Sequence, residues 1–218
     1  MKRVLVLVEG QTEETFVRDI LEPHLEFLEI FLTPTLVSTK RVKTGGTFKG
    51  GVVSYGKVRN DLQRLLGDSD AAAITTMFDY YGLPADFPGM STRPSGPCFD
   101  RVRHVESAIA HDIGDPRFLP YLQLHEFEAL LFSDPREVAA RFPETDCLRA
   151  LNRARQEFDS PEEINERFDL APSRRIAGVV SAYRKPLHGP QIAEAIGLDR
   201  IRAECRHFGE WVARLESL

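Results

Sequence analysis

Short, continuous apolar runs alternate with segments whose apolar residues recur at helical spacing in the first part of the chain. Such runs are typical of strands buried on both faces of a parallel sheet. The predicted strands are Val4–Val8, Thr35–Val42, Ala71–Phe78 and Phe118–Leu124. Helical spacing over residues 55–67 and 102–113 predicts amphipathic helices between them. Strands that alternate with helices predict an α/β fold with an open, mainly parallel sheet flanked by helices.

The strand pattern ends after about residue 134, and the remaining sequence reads as a series of helices. Two of these segments open with Asp134-Pro135 and Ser160-Pro161, a pairing that is typical of helix starts. We therefore predict an α/β domain over residues 1–134 and a helical subdomain over residues 135–218 that packs on it.

The composition and net charge of the chain limit the classes of function that it can have. The 218 residues are 42% hydrophobic with a net charge of −5, so any site for a polyanion must be local. Three cysteines, Cys98, Cys147 and Cys205, lie far apart and indicate neither a disulfide framework nor a zinc ribbon. The first apolar run is too short for a signal segment or a membrane span, so we expect a cytoplasmic protein with no membrane association.

Acidic residues follow three of the predicted strands. Glu9 follows the first strand, Asp79 follows the third, and the pair Glu126 and Glu128 follows the fourth. The carboxyl ends of parallel strands share one edge, where ligands bind in open sheets, so these carboxylates should converge. Because converging carboxylates repel each other, we expect Mg²⁺ or Mn²⁺ to bind them, since hard divalent cations prefer oxygen ligands.

The segment Glu9-Gly10 turns directly from a strand into an acidic helix start. Glu9 is predicted to be a metal ligand or an acid–base group, with Gly10 allowing a tight turn. Thr12 is the predicted N-cap of the helix, and Glu13 should face the same crevice one turn further on. For Glu13 and its neighbour Glu14, an alternative is simple charge complementarity with the helix N-terminus.

The stretch HEFEALL, residues 125–131, also offers potential zinc ligands. It lacks the second histidine of the HExxH motif, which argues against a zinc site. We favour a helix that starts just after the strand, with Glu126 aimed at the crevice. His125 is then a capping or supporting donor.

Two groups of basic residues are candidates for binding nucleic acid. The first runs from Lys40 to Asn60 without an acid and includes the glycine-rich stretch TGGTFKGG; its candidate residues are Lys40, Arg41, Lys43 and Lys49. The second group comprises Arg174, Arg175, Arg184, Lys185 and His188. Residues 185–189 are predicted to form a loop. The alternative for both groups is a plain solvated surface. The spacing of a nucleotide-binding P-loop is absent from the sequence.

The stretches VLVLVEGQTEETFV and MFDYYGLP resemble the Toprim fold of topoisomerases, primases and OLD-type nucleases, and EGQTE is similar to the EGxTE start of the OLD nucleases. FDYYGLPADFPG, PYLQLHEFEALLF and KPLHGPQIAEAIGL resemble more closely a bacterial family of the Toprim superfamily, over nearly the whole chain.

This resemblance implies roles for individual residues. Glu9 and Glu13 would be metal ligands or acid–base residues, and Asp79 would be a metal ligand. Glu126 would match the later acid of the OLD nucleases, with Glu128 as its neighbour, and Lys185 would match their late catalytic lysine.

The sequence departs from the Toprim pattern at one point. Toprim domains usually have Asp-x-Asp at the third strand, but here Tyr81 stands at the position of the second acid. Asp86 or Glu106 are candidates to substitute for it. The sequence thus predicts a Mg²⁺-dependent nuclease acting on DNA or RNA. The alternative is a non-catalytic Toprim-like module that binds nucleic acid or a separate ATPase partner.

Overall fold

The structure is a computed structural model that describes residues 1–38, 52, 54–164 and 170–218. Its centre is a five-stranded sheet in which every described pairing is parallel. The strands are β1 (Lys2–Val8), β2 (Ile30–Leu36), β3 (Ala71–Asp79), β4 (Phe118–Leu119) and β5 (Leu122–Gln123). Their order is β2–β1–β3, with β4 and β5 both beside β3. The predicted α/β class with a mainly parallel sheet is confirmed.

Strands β1 and β3 form the buried centre of the sheet. All residues of β1 from Val4 to Val8 are buried, as are most of β3, because β1 pairs with β2 and β3 and helices cover both faces. The continuous apolar runs in the sequence therefore correspond to strands with no solvent-facing side, as predicted.

The prediction for the second strand was wrong in its bounds. The strand lies at Ile30–Leu36, so it overlaps the predicted Thr35–Val42 only at its end, and residues 39–42 lie outside the described part. It contains Pro34, which cannot donate to a ladder and is tolerated because β2 is the edge of the sheet. The local pattern does not reveal which strand is the edge.

The predicted fourth strand is divided into two short strands. β4 pairs with Ile74 and Thr75, and β5 pairs with the last two residues of β3. A 3₁₀ helix at Phe127–Ser133 follows, all of it buried, where the sequence predicted a helix just after the strand. The chain thus reaches the carboxyl edge of the sheet beside Asp79 and turns there.

Ten α-helices occur in the described residues. They are α1 (Gln11–Phe16), α2 (Glu22–Glu26), α3 (Tyr55–Leu66), α4 (Cys98–Ile113), α5 (Pro135–Arg141), α6 (Leu148–Gln156), α7 (Pro172–Val179), α8 (Lys185–Ile196), α9 (Leu198–Glu204) and α10 (Arg206–Glu216). A π-helical segment, Val17–Leu21, joins α1 to α2, and short 3₁₀ helices lie at Met90–Thr92 and Pro161–Glu163. As predicted, Asp134 caps α5, accepting the backbone N–H of Arg136.

Two expectations about helix starts were wrong. Helix α1 begins at Gln11 with Gly10 at the N-cap, so Thr12 is a buried residue inside the helix and not its cap. The segment from Lys185, predicted to be a loop, is the first turn of α8, with Pro186 at a position where a missing N–H costs nothing.

The helices after residue 134 pack on one face of the sheet. Trp211 and Phe208 of α10 belong to the same apolar core as Val6 of β1, so this core runs without interruption from the sheet into the C-terminal helices. The two-unit division at residue 134 stays a prediction. No helix in the described residues has both the length and the apolar character needed to cross a membrane.

Candidate active site

The carboxyl edge of the sheet brings Glu9 and Asp79 together. The Asp79 backbone N–H donates to Glu9 Oε2 at 2.9 Å, while the Glu9 N–H donates to the carbonyl of Met77 at 3.2 Å. These bonds arise because β1 and β3 are parallel neighbours that end at the same level. Glu9 therefore extends the edge of the sheet and directs its carboxylate across the end of β3.

The Asp79 side chain links the third strand to the 3₁₀ helix and to α8. Its Oδ1 accepts the Phe127 N–H at 2.8 Å, and its Oδ2 accepts Lys185 Nζ at 2.8 Å. Both carboxylate oxygens thus have strong donors, and the aspartate side chain is only 12% exposed. Asp79 is the residue that connects the elements of the site.

Lys185 lies among three carboxylates from three separate elements. Besides Asp79 Oδ2, its Nζ lies 3.2 Å from Glu128 Oε2 and 3.5 Å from Glu13 Oε1. The side chains of Glu128 and Glu13 are 0% and 4% exposed, whereas Lys185 is 31% exposed. We call Glu9, Glu13, Asp79, Glu128 and Lys185 the acid–lysine cluster.

The charges in this cluster are unbalanced, since it contains four carboxyl groups and one ammonium, which pairs with three of them. Burial raises the pKa of Glu9 to about 8, with the Asp79 and Glu13 charges adding to the effect. Burial likewise raises the pKa of Glu13, and it raises that of Glu128 to about 7. Burial alone would lower the pKa of Lys185, but the surrounding carboxylates raise it well above its usual value. The cluster therefore retains protons near neutral pH when it holds no further cation.

Close packing of α8 against α1 positions the lysine. Gly189 lies where an added Cβ would be 3.1 Å from the Phe127 ring and 3.3 Å from Thr12 Cγ2. A side chain at this position would push α8 away from α1 and the 3₁₀ helix. Lys185 starts the same helix one turn earlier, so the small residue at 189 brings the ammonium to the acids.

Glu126 and Glu128 have different surroundings. Glu128 contacts Lys185, whereas Glu126 Oε2 accepts the Ser173 N–H of α7 at 3.0 Å. The two separate because Glu126 is the N-cap of a 3₁₀ helix with three residues per turn, so positions two apart do not share a face. The metal-binding roles of both residues stay predictions.

Tyr183 is a site residue that the sequence reasoning missed. Its hydroxyl donates to Glu128 Oε1 at 3.4 Å, and burial raises its pKa far above the usual range. Its only signal in the sequence is its place two residues before Lys185. It helps to orient the glutamate from the side opposite the ammonium.

The other predicted residues lie elsewhere or outside the described part. Lys40, Arg41, Lys43 and Lys49 lie outside the described residues. Arg184 is exposed at the N-cap of α8, where its N–H donates to His188 Nδ1 at 2.9 Å. The His188 ring packs edge-on against Phe142 at 4.9 Å. Contact of either residue with nucleic acid stays a prediction.

Neither candidate substitute for the missing second acid lies in the cluster. Asp86 accepts the Tyr55 N–H at 2.9 Å, and Glu106 accepts the Leu122 N–H at 2.8 Å and contacts His207. Both carboxylates are engaged in holding other parts of the fold. The expectation that one of them replaces the acid at Tyr81 is therefore wrong.

The chemistry of the cluster fits a hard divalent cation. As the side chains stand, no three Asp, Glu, His or Cys residues of the described ranges form a metal-ligand group, and Lys185 lies at the point where three carboxylates meet. Glu13 Oε1 and Glu128 Oε2 are buried and have no hydrogen-bond partner. Buried carboxylate oxygens that only a shared ammonium compensates are suitable ligands for Mg²⁺ or Mn²⁺.

The fold and the site together define an α/β protein with a buried acid–lysine cluster at the carboxyl edge of a parallel sheet. The family described as domain of unknown function (DUF4276) matches residues 8–216, and the chain belongs to this family. No curated protein matches the sequence.

Solved structures that are similar to the chain over almost its full length include two C-terminal regions of OLD proteins. The C-terminal region of the Burkholderia pseudomallei OLD protein matches with a TM-score of 0.46 and 18% identity, covering 99% of each chain. The C-terminal region of the Xanthomonas campestris pv. campestris OLD protein matches with a TM-score of 0.40 and 18% identity, covering 100% of this chain and 99% of that one. Matches at this level of similarity carry no argument about activity.

Proposed function

We propose that the chain is a divalent-metal-dependent phosphodiester hydrolase of Toprim type that acts on DNA or RNA. The observation that carries the proposal is the meeting of Asp79, Glu13 and Glu128 around one ammonium at the carboxyl edge of the sheet. Ligands bind at this edge in open parallel sheets. The resemblance of EGQTE and MFDYYGLP to Toprim sequences supports the same reaction class.

Residues from four elements would hold the metal. Asp79, Glu13 and Glu128 already converge, Glu9 lies beside Asp79, and Glu126 is the further ligand that the sequence predicts. A Mg²⁺ or Mn²⁺ ion bound there would supply Lewis acidity for phosphodiester hydrolysis and would lower the pKa of water.

Glu9 is suited to move a proton. Its Oε2 accepts the Asp79 N–H, which leaves Oε1 as the position for a proton, and in the metal-free cluster burial raises its pKa to about 8. An acid–base group works best when its pKa is near the working pH. Lys185, the most exposed member of the three ion pairs at the cluster, is positioned to donate to a phosphate oxygen.

The test is cleavage of supercoiled plasmid and of labelled single-stranded DNA and RNA in Mg²⁺ or Mn²⁺, with EDTA as a blank. We expect Asp79→Asn to lower the rate by at least about a hundredfold, because it removes a charged ligand of the proposed metal. Glu29→Gln, at an acid that is 82% exposed, is the matched control and should cleave like the wild type. An Asp79→Asn variant that keeps the wild-type rate would exclude the proposed site.

A non-catalytic binding module is the second candidate. It is favoured by Tyr81 at the position of the second acid and by the ammonium of Lys185 between the carboxylates. Such a module would bind nucleic acid or a separate ATPase partner without cleaving. A protein that gains stability on adding Mn²⁺ supports the enzyme, because a ligand of the native state must stabilise it. Wild-type melting unchanged by millimolar Mn²⁺ supports the module.

A further inference from the structure

A cationic groove lies between helices α6 and α7; it shares Arg175 with the second basic group and is otherwise separate from the two basic groups of the sequence. Its cavity volume is about 590 Å³, and its walls are Arg149, Ala150, Arg153, Ala154, Glu157 and Arg175. Arg149 and Arg153 are four residues apart, so they point to the same face of α6. The two alanines leave room between the helices for a ligand.

The two α6 arginines that line the groove have no bonding partner among the described residues. Arg149 and Arg153 are exposed, and within the described part of the chain neither guanidinium makes an ion pair or a hydrogen bond. Arg155 on the same helix differs, because it donates to the Phe158 carbonyl at 2.7 Å and to Glu204 at 2.7 Å. One arginine of α6 therefore holds the fold, and the other two offer charge to a partner.

Arg175 forms the opposite wall with a fixed orientation. Its Nε donates to the Leu170 carbonyl at 2.8 Å, its Nη1 lies 3.2 Å from Glu157, and its guanidinium stacks over the Phe158 ring. A guanidinium held in this way loses little entropy when it binds an anion. The groove thus combines two exposed cations that have no partner among the described residues with one that is already held in place.

Helix α7 connects this groove with the candidate active site. Ser173, two residues before Arg175, donates its N–H to Glu126 Oε2, and Glu126 precedes the helix that carries Glu128. The groove and the carboxyl edge of the sheet are therefore joined through one turn of α7.

We propose that the α6–α7 groove binds the phosphodiester backbone of the nucleic-acid substrate; this inference rests on the proposed function. Arginine recognises phosphate through paired N–H groups, and among the described residues no aromatic side chain lines the groove for a base to stack on. Recognition here is consequently of the backbone and not of the sequence. With a net charge of −5 on the chain, such a cationic groove is a local feature.

The experiment measures binding of labelled single-stranded DNA, duplex DNA and RNA by fluorescence anisotropy in EDTA, over a series of salt concentrations. Removing two phosphate contacts in the double variant Arg149→Gln/Arg153→Gln should reduce the salt dependence. Its loss of affinity between about 50 and about 200 mM salt should be about tenfold smaller than that of the wild type. Both positions are exposed and unpaired, so the melting temperature should stay at the wild-type value.

Arg18→Gln is the matched control. It removes one positive charge, against two in the double variant, from a place where Asp19, Glu14 and Glu22 surround the guanidinium, and should leave the salt slope unchanged. An unchanged slope in the double variant, or no binding of any oligonucleotide by the wild type, would overturn the proposal. Preferential binding of polyglutamate would overturn it as well, since the groove would then fit an acidic polypeptide.

The metal-free assay separates this proposal from the proposed hydrolase. If Asp79→Asn binds nucleic acid like the wild type and the double arginine variant does not, the groove is supported whatever the outcome of the cleavage assays. If cleavage depends on Asp79 but binding does not depend on Arg149 and Arg153, the hydrolase stands and the groove does not.

Discussion

Two groups of buried charged residues in this protein satisfy their carboxylates in different ways. In the first, Glu106 accepts the Leu122 N–H at 2.8 Å and contacts His207 Nε2 at 2.9 Å. Glu162 accepts the N–H groups of His207 and Phe208, at 2.8 and 2.9 Å, at the start of α10. Each carboxylate in this glutamate–histidine group has its own fixed donors.

The acid–lysine cluster is held in this way only in part, because backbone N–H groups reach Glu9 Oε2 and Asp79 Oδ1 but neither Glu13 Oε1 nor Glu128 Oε2. Glu13, Asp79 and Glu128 share the ammonium of Lys185, and two of their buried oxygens have no hydrogen-bond partner. The comparison indicates that a buried carboxylate held by backbone N–H groups has a structural role, because the fold fixes those donors in place. A single shared side-chain cation can be exchanged for another cation. This difference is the reason why we propose the acid–lysine cluster as the functional site.

The largest expected effect follows from removing the shared cation. In EDTA, Lys185→Met should lower the free energy of unfolding by about 2–3 kcal/mol, less than for a fully buried pair because the lysine is 31% exposed. Saturating Mn²⁺ should restore most of this loss, since a metal at about a hundred times its Kd contributes about 2.7 kcal/mol. Urea denaturation with and without Mn²⁺ measures both values.

The control for this comparison is Lys2→Met, at an exposed position near the N-terminus. It should not change the response to Mn²⁺. If Lys185→Met is equally destabilised in EDTA and in Mn²⁺, the carboxylates do not accept a replacement cation, and the two buried groups do not differ as inferred.

A smaller effect distinguishes the two groups by a matched substitution. Glu162→Gln places an amide NH₂ against backbone donors and should cost about 2 kcal/mol, which Mn²⁺ does not restore. Glu128→Gln should change stability by less than about 0.5 kcal/mol in EDTA, because the pKa of about 7 means that this glutamate is already partly protonated. Calorimetric melting of both variants at neutral pH checks the difference, and equal losses would contradict it.

The smallest effect concerns the pH dependence of stability in the metal-free protein. The pKa of Glu9 is raised from 4.5 to about 8, so the folded state binds more protons than the unfolded state between these values. Stability should therefore fall as pH rises through this window. In the wild type we expect the free energy of unfolding to fall by about 1 kcal/mol over this window, a modest amount because neighbouring groups share the titration. In Glu9→Gln this fall should be absent.

Denaturation midpoints measured in EDTA from pH 5 to pH 8, compared with those of Glu29→Gln, provide the check. Wild-type and Glu9→Gln profiles that run parallel would show that Glu9 is not the group that retains the proton.

Sequence reasoning recovered most of the edge of the sheet from local pattern. The apolar runs located β1 and β3, and the acids directly after these runs are Glu9 and Asp79. In the structure the Asp79 N–H donates to Glu9 Oε2 at 2.9 Å. The same reasoning misplaced β2, because tolerance of Pro34 depends on the strand's place at the edge. It also took the start of α8 for a loop, because two prolines and a glycine there resemble a turn.

By itself the sequence determined the fold class and the edge at which acids collect, because hydrophobic periodicity and strand ends are local properties. Only the tertiary structure decided which charges meet. Lys185 is 106 residues from Asp79 along the chain, and their contact depends on how closely Gly189 lets α8 approach Phe127 and Thr12. The same packing decides that Glu128, and not Glu126, contacts Lys185, because the two glutamates point in different directions from the 3₁₀ helix. Tyr183 contacts the other oxygen of Glu128.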